Sequence, residues 1–174
     1  VALNNLTSDP TSPTPGGPGM IARIDAVSKQ VAAIDLGADR CLNPQWIASM
    51  GNLLIVSCGG RVHYNSDFSV SSIEAAGLVV LNSDEQIVGE WSSVCPTGGS
   101  FSDGGVCTPL FPGRFAVSGN RVLLADQNAG RVVTLDVTLS GISEVRGLGD
   151  PIHMCPDTLS GFSNVSDVLS LSSF

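Results

Sequence analysis

Lysine is nearly absent from this chain. Lys29 stands alone beside seven arginines, acidic residues outnumber basic ones 16 to 8, and the formal charge is -8. A surface of that sign repels phosphate backbones and anionic lipid, which argues against nucleic-acid or membrane-surface partners. Aromatic residues make up only 5% against 43% hydrophobic. The core must therefore be built from Val, Leu, Ile and Ala, which suits strands. No apolar run approaches the ~20 residues of a membrane-spanning helix, so no membrane span is expected. Helical periodicity of useful length is also missing. No cysteine pair has CxxC spacing, which removes the usual frame for zinc. No G-x-S-x-G elbow marks a nucleophilic serine. Gly98-Gly99-Ser100-Phe101-Ser102-Asp103-Gly104-Gly105 is glycine-rich, but lacks the Lys and following helix of a phosphate cradle.

What the chain does contain is turn residues, cysteines and a repeat. Twenty Gly and ten Pro mark many turns. Five cysteines in an acidic, lysine-poor chain point to an oxidising compartment, extracellular or periplasmic. No leader is visible, and Val1 is not a natural start, which points to a removed upstream segment. Cys95 and Cys107 bracket the glycine-rich loop and are expected to close it. Cys41 and Cys58 are candidates for a second bridge. Cys155 is then free or joined to another chain. Asn5-Leu6-Thr7 and Asn164-Val165-Ser166 fit the N-glycosylation pattern, which makes Asn5 and Asn164 acceptors if the source is eukaryotic.

The repeat begins with Pro44-Gln45-Trp46-Ile47-Ala48-Ser49-Met50-Gly51-Asn52-Leu53-Leu54-Ile55-Val56-Ser57. It returns as Pro112-Gly113-Arg114-Phe115-Ala116-Val117-Ser118-Gly119-Asn120-Arg121-Val122-Leu123-Leu124-Ala125. Each copy reads as a strand, a Gly-Asn turn and a second strand. A third strand follows, Gly77-Leu78-Val79-Val80-Leu81-Asn82 and then Gly130-Arg131-Val132-Val133-Thr134-Leu135-Asp136. It is foreshadowed by Met20-Ile21-Ala22-Arg23-Ile24-Asp25. Self-similarity at this period predicts four-stranded units, with strands a, b, c and d joined by short turns.

The expected order is the end of one unit over residues 1–43, a unit over 44–94, a complete unit over 112–150, and the start of another over 151–174. In the second unit, residues 59–76 read as an insertion between strands b and c. Residues 162–171 read as the next a strand and part of its b strand. Asp25, Asn82 and Asp136 recur at the ends of the c strands, which predicts a side-chain cap on each c–d turn. The fold expected is all-β, a β-propeller segment of about three four-stranded antiparallel blades. A small open β-sandwich is the alternative. Closed propellers need about four blades or more. The remainder is therefore expected on another chain or through self-association, because open strand edges invite pairing.

These residues resemble the YVTN/NHL-like group of β-propellers. The likeness rests on residues 115–126 with 130–136 and extends over most of 20–150. The chain departs from it where Ser57-Cys58 stands in place of Ala125-Asp126, and in its two long cysteine-bearing loops. Members of the group include binding modules, lactonases and redox subunits, so the resemblance selects no single activity.

In a blade, the b–c and d–a connections leave on one face. The long connections over 4–19, 59–76 and 92–113 all belong to that face, together with all five cysteines. Loops on a rigid scaffold carry function, so this face is the expected working face. Its densest polar and aromatic stretch is Arg61-Val62-His63-Tyr64-Asn65-Ser66-Asp67-Phe68. Arg61, His63, Tyr64 and Asp67 are its candidates for contacting a ligand or peptide. Asp126 and Asn128 lie on the same face. The resemblance to lactonase-type propellers implies that such residues hold a divalent ion. Their oxygens suit calcium, but one blade does not make a site, and no cofactor is expected. His153-Met154-Cys155 mixes soft ligands, yet adjacent residues in extended chain point to alternate sides. The function expected is a non-enzymatic binding or scaffold module presenting disulfide-pinned loops. The alternatives are a metal-dependent lactonase or hydrolase and a propeller subunit of a redox complex.

Overall fold

The computed structural model describes residues 1–3, 16–64, 66, 70–92, 112–126, 131–145 and 152–153. All its regular elements are strands: β1 (Ala2–Leu3), β2 (Met20–Ile24), β3 (Val31–Asp35), β4 (Pro44–Met50), β5 (Leu53–Tyr64), β6 (Val70–Leu81), β7 (Ile87–Trp91), β8 (Pro112–Ser118), β9 (Arg121–Asp126), β10 (Arg131–Thr138), β11 (Gly141–Glu144) and β12 (Ile152–His153). No helix among the described residues is long and apolar enough to cross a membrane. Every paired strand is antiparallel, and each sheet follows chain order: β1-β2-β3, β4-β5-β6-β7 and β8-β9-β10-β11. The protein is all-β, as its composition requires.

Local chemistry sets the turns. Gly51 and Gly119 take φ of 60° and 61° at the first turn position, where a side chain would be strained. Register then follows, with Met50 opposite Leu53 and Ser118 opposite Arg121.

The c–d turns are capped by side chains. Asp25 Oδ1 accepts from the amides of Val27 (3.0 Å) and Ser28 (2.6 Å) and from the Ser28 hydroxyl (2.9 Å). Asn82 Oδ1 accepts from the amides of Asp84 and Gln86. The third cap is not Asp136, contrary to expectation. β10 runs on to Thr138, whose Oγ1 accepts from the amide of Ser140, while Asp136 instead accepts from Arg121 Nε at 3.1 Å. The cap belongs to the residue that closes the hairpin, and the sequence repeat misplaced it by two positions. The last turn is Leu139-Ser140, one residue earlier than expected.

The Ser28 amide, then its hydroxyl and the Val27 amide hold the Asp25 carboxyl below its ordinary pKa. A depressed folded pKa means that Asp25 contributes stability above the ordinary aspartate range. That contribution is lost as pH falls through the folded value. The amide resonances of Val27 and Ser28 are therefore expected to hold their native shifts down through the ordinary range and to move only below it. In Asp25→Asn that late acid step should vanish. A transition within the ordinary aspartate range would refute the cap.

The middle sheet is buried on both faces. Strand alternation sends Leu53, Ile55, Leu78 and Val80 toward the third sheet, where they meet Phe115, Val122, Leu124, Val133, Leu135 and Val137. It sends Val56, Cys58, Val79 and Leu81 toward the first sheet, where they meet Ile21, Leu36 and Cys41. This is why the runs Leu53-Leu54-Ile55-Val56 and Leu78-Val79-Val80-Leu81 are apolar without a break. Neighbouring sheets pack strand on strand: β8 lies against β4 and β5, β11 against β7, and β1 against β4. Arg114 of β8 sits over the Trp46 ring of β4, 4.6 Å from its centroid. Such a cation–π contact is worth about 0.5–1 kcal/mol where exposed.

One further expectation changes. Residues 59–76 are not simply a loop, because β5 and β6 each run to 12 residues and pair from Leu54↔Leu81 out to Tyr64↔Val70. Of the unit expected over 151–174, the described residues are Ile152–His153. They pair with the start of β10 on the edge that β11 leaves vacant. The strands expected over residues 162–171 lie outside the described residues.

Candidate functional site: an overshooting hairpin with a disulfide root

β5 and β6 outrun their neighbours. β4 reaches β5 only as far as Cys58, and β7 reaches β6 only as far as Leu78. Beyond those points the two strands continue together, pairing Arg61 with Glu74, Val62 with Ile73 and His63 with Ser72.

At the root the ladder breaks and is repaired from outside. Gly60 (φ 73°) and Ala75 (φ 52°) both adopt left-handed backbone. The Leu42 amide donates to the Ala75 carbonyl at 3.0 Å. The Leu42 carbonyl accepts from the Gly60 amide at 2.9 Å, and the Asn43 carbonyl from the Gly59 amide at 2.9 Å. A Cβ on Gly60 would lie 2.5 Å from the Glu74 carbonyl oxygen, so only glycine fits this kink. The 41–43 segment is also held covalently, since Cys41 and Cys58 form a disulfide across a separation of 17 residues. Both cysteines are fully buried. The Cys41 carbonyl in turn accepts from Gly19, whose own carbonyl accepts from the Leu36 amide. The hairpin root is thereby tied to the first sheet as well. Left-handed non-glycine residues such as Ala75 and Asn43 cost about 1–3 kcal/mol each and persist only where surroundings impose them.

Above the root, one carboxylate joins two side chains of the opposite strand. Glu74 Oε1 lies 2.8 Å from Arg61 Nη1, and Glu74 Oε2 lies 3.3 Å from His63 Nε2. Arg61 and His63 are two apart on β5 and so share a face. All three are about one-third to one-half exposed, a setting in which ion pairs contribute little stability. The cluster instead fixes the directions of an arginine and an imidazole on a rigid ribbon. Chemically it offers hydrogen-bond donors arranged around a central acceptor.

Of the residues singled out in the sequence, Arg61 and His63 come together here, and the backbone of Tyr64 ends the same strand. Glu74 was missed. Its signal was the antiparallel register of residues 59–76, which cannot be read once that stretch is taken as a loop. Asp126 ends β9, opposite Arg131 and Pro112. Asp67, Asn128, Cys95, Cys107, Cys155, Asn5 and Asn164 lie outside the described residues, as do Met154 and the glycine-rich loop. Among the described residues no three His, Cys, Asp or Glu converge as metal ligands would. The chain matches no protein-family model, no curated protein and no solved structure.

Proposed function

We propose that this chain is a secreted or periplasmic binding module. In this reading it is a segment of a β-propeller of the YVTN/NHL-like kind that presents the β5–β6 hairpin to a protein or small ligand. The observation that carries the proposal is the hairpin root. A ribbon that overshoots its sheet is locked by the Cys41–Cys58 bridge and by three backbone hydrogen bonds, and its outer half displays Arg61, His63 and Glu74. Rigid placement of polar groups lowers the ordering cost of binding.

Antiparallel sheets that follow one another along the chain, with β8 against β4 and β11 against β7, support the propeller reading. So does the outer face of the first sheet. Ile24 holds the position before the turn cap that Leu81 and Val137 hold in the other sheets. Those two are 1% exposed, whereas Ile24 is 53% exposed and its cross-strand partner Val31 66%. A further sheet, from another chain or a second copy, would cover that face. Arg121 and Asp136 make the opposite end of the stack more polar.

The test is site-specific photo-crosslinking in the native, non-reduced material. A crosslinking residue in place of His63 is expected to give at least severalfold more adduct than one at Arg121. Equal yields would reduce the hairpin to packing. Substrate turnover by the native assembly would sink the non-enzymatic reading.

A further inference from the structure

We infer that the rung missing from the β5–β6 hairpin is a two-position switch, held in one position by the Cys41–Cys58 bridge and released by a dithiol reductant. It regulates the hairpin proposed above to bind. That consequence rests on the binding reading, whereas the switch itself does not.

The ladder shows which rung is missing. β5 and β6 pair Gly59 with Ala76 and Arg61 with Glu74, so Gly60 and Ala75 stand opposite each other with no slip in register. Between Leu54↔Leu81 and His63↔Ser72 they are the one opposed pair that is not joined. Leu42 is spliced between them instead. The Gly60 amide donates to the Leu42 carbonyl at 2.9 Å, and the Leu42 amide donates to the Ala75 carbonyl at 3.0 Å. With Leu42 withdrawn, the Gly60 amide can reach the Ala75 carbonyl directly, as in an ordinary antiparallel rung. Every other pair of the hairpin keeps its partner. Two discrete arrangements of one ladder therefore compete, which is what a switch requires.

Opposed contributions bias the two positions. Seating Leu42 holds Ala75 (φ 52°) and Asn43 (φ 52°) in left-handed backbone, a strain that only the surroundings sustain. It also gains the bond from the Gly59 amide to the Asn43 carbonyl and keeps the Leu42 side chain buried. The bridge tips the balance. Cys41 adjoins Leu42, and Cys58 lies two residues before Gly60, so the inserted segment is tethered to the strand it enters. In the seated position, left-handed residues at the same rung of both strands turn the ribbon and so aim Arg61, His63 and Glu74. In the released position the outer half continues the line of β5 and β6.

The release is thiol–disulfide exchange. A thiolate of the dithiol attacks one sulfur of the bridge, and the S–S bond breaks to leave a mixed disulfide and one free cysteine thiolate. The second thiol of the reductant displaces the other cysteine, and the reductant leaves as a disulfide. Two electrons pass to the bridge, and two protons end on Cys41 and Cys58. Both cysteines are 0% exposed, so the exchange waits on opening of the root and is slow.

The experiment is amide hydrogen exchange on the full chain, oxidised and after treatment with dithiothreitol, read as Leu42 protection relative to Gly60. Leu42 donates to the ladder only in the seated position, whereas Gly60 donates in both, to Leu42 or to Ala75. Reduction is expected to lower Leu42 protection about tenfold or more relative to Gly60. Cys41→Ala combined with Cys58→Ala should give the released ratio without reductant and no further response to it, which separates this bridge from the other cysteines. With the bridge intact, Ala75→Val should move the ratio the same way, because a β-branched residue resists left-handed backbone. Ala75→Gly relieves the strain and should oppose the effect of reduction. Parallel loss of protection at Leu42 and Gly60 would mean that the root unfolds, which overturns the inference. An unchanged ratio in the fully reduced chain overturns it as well. A shifted ratio with crosslinking at position 63 no greater than at Arg121 would leave the switch standing and remove the binding reading.

Discussion

Replacing Cys41 and Cys58 together by alanine is expected to lower stability by about 2–4 kcal/mol, because the bridge closes a loop of moderate length and restricts the unfolded chain. For a chain of this size that corresponds to a fall in Tm of roughly 4–16 °C, at about 2–4 °C per kcal/mol. Both positions are replaced because a single substitution would leave a reactive thiol. The measurement is a urea unfolding curve with midpoint and slope both fitted. Loss of the bridge lets the unfolded chain expand, so a steeper slope is expected to accompany the lower midpoint.

A local effect should accompany the global one. Without the bridge, the left-handed backbone at Gly60 and Ala75 is held only by the hydrogen bonds to Leu42 and Asn43. Amides of residues 61–64 are therefore expected to exchange faster in the variant than those of β9, and crosslinking from position 63 should fall. An unchanged midpoint with unchanged exchange would show that the bridge does not hold the root.

Leu78→Ala and Leu81→Ala are each expected to cost about 2–5 kcal/mol, the range for deleting a fully buried leucine side chain. The two residues sit on one strand but face opposite sheets, Leu78 among Phe115, Leu124 and Leu135, and Leu81 among Ile21, Val56 and Val79. Separate clusters predict additivity. Leu81→Ala combined with the gentler Ile55→Val of the other cluster should sum to within about 0.5 kcal/mol. A coupling of 1 kcal/mol or more would mean one continuous core, and would favour a sandwich over a stack of three sheets. The gentler partner keeps the double variant folded, since a domain has only about 5–15 kcal/mol to lose.

The sheets were legible in the sequence wherever short-range chemistry decides. The Gly51-Asn52 and Gly119-Asn120 turns, the strands around them and the caps at Asp25 and Asn82 follow from residue preference and from alternation along a strand. The double-faced burial of the middle sheet was not read from the sequence, although the unbroken apolar runs Leu53–Val56 and Leu78–Leu81 are its mark. Cys41 and Cys58 were named as a candidate pair, but nothing in their spacing singled them out over other pairings.

Tertiary structure decided the rest, because long-range register is not written in local preference. Residues 59–76 contain glycines, serines and a proline-free polar stretch that resembles a loop. They form strand because β5 and β6 are already paired below them and the ladder continues through Arg61↔Glu74 once Leu42 bridges the kink. Glu74 joined the site only through that register. Thr138 displaced Asp136 as the cap because two more residues of β10 found partners on β11. By itself the sequence determined an antiparallel all-β chain of short-turned repeats. Which strands run long and where the disulfide falls were settled by pairing across the sheets, where each added backbone hydrogen bond depends on a partner many residues away.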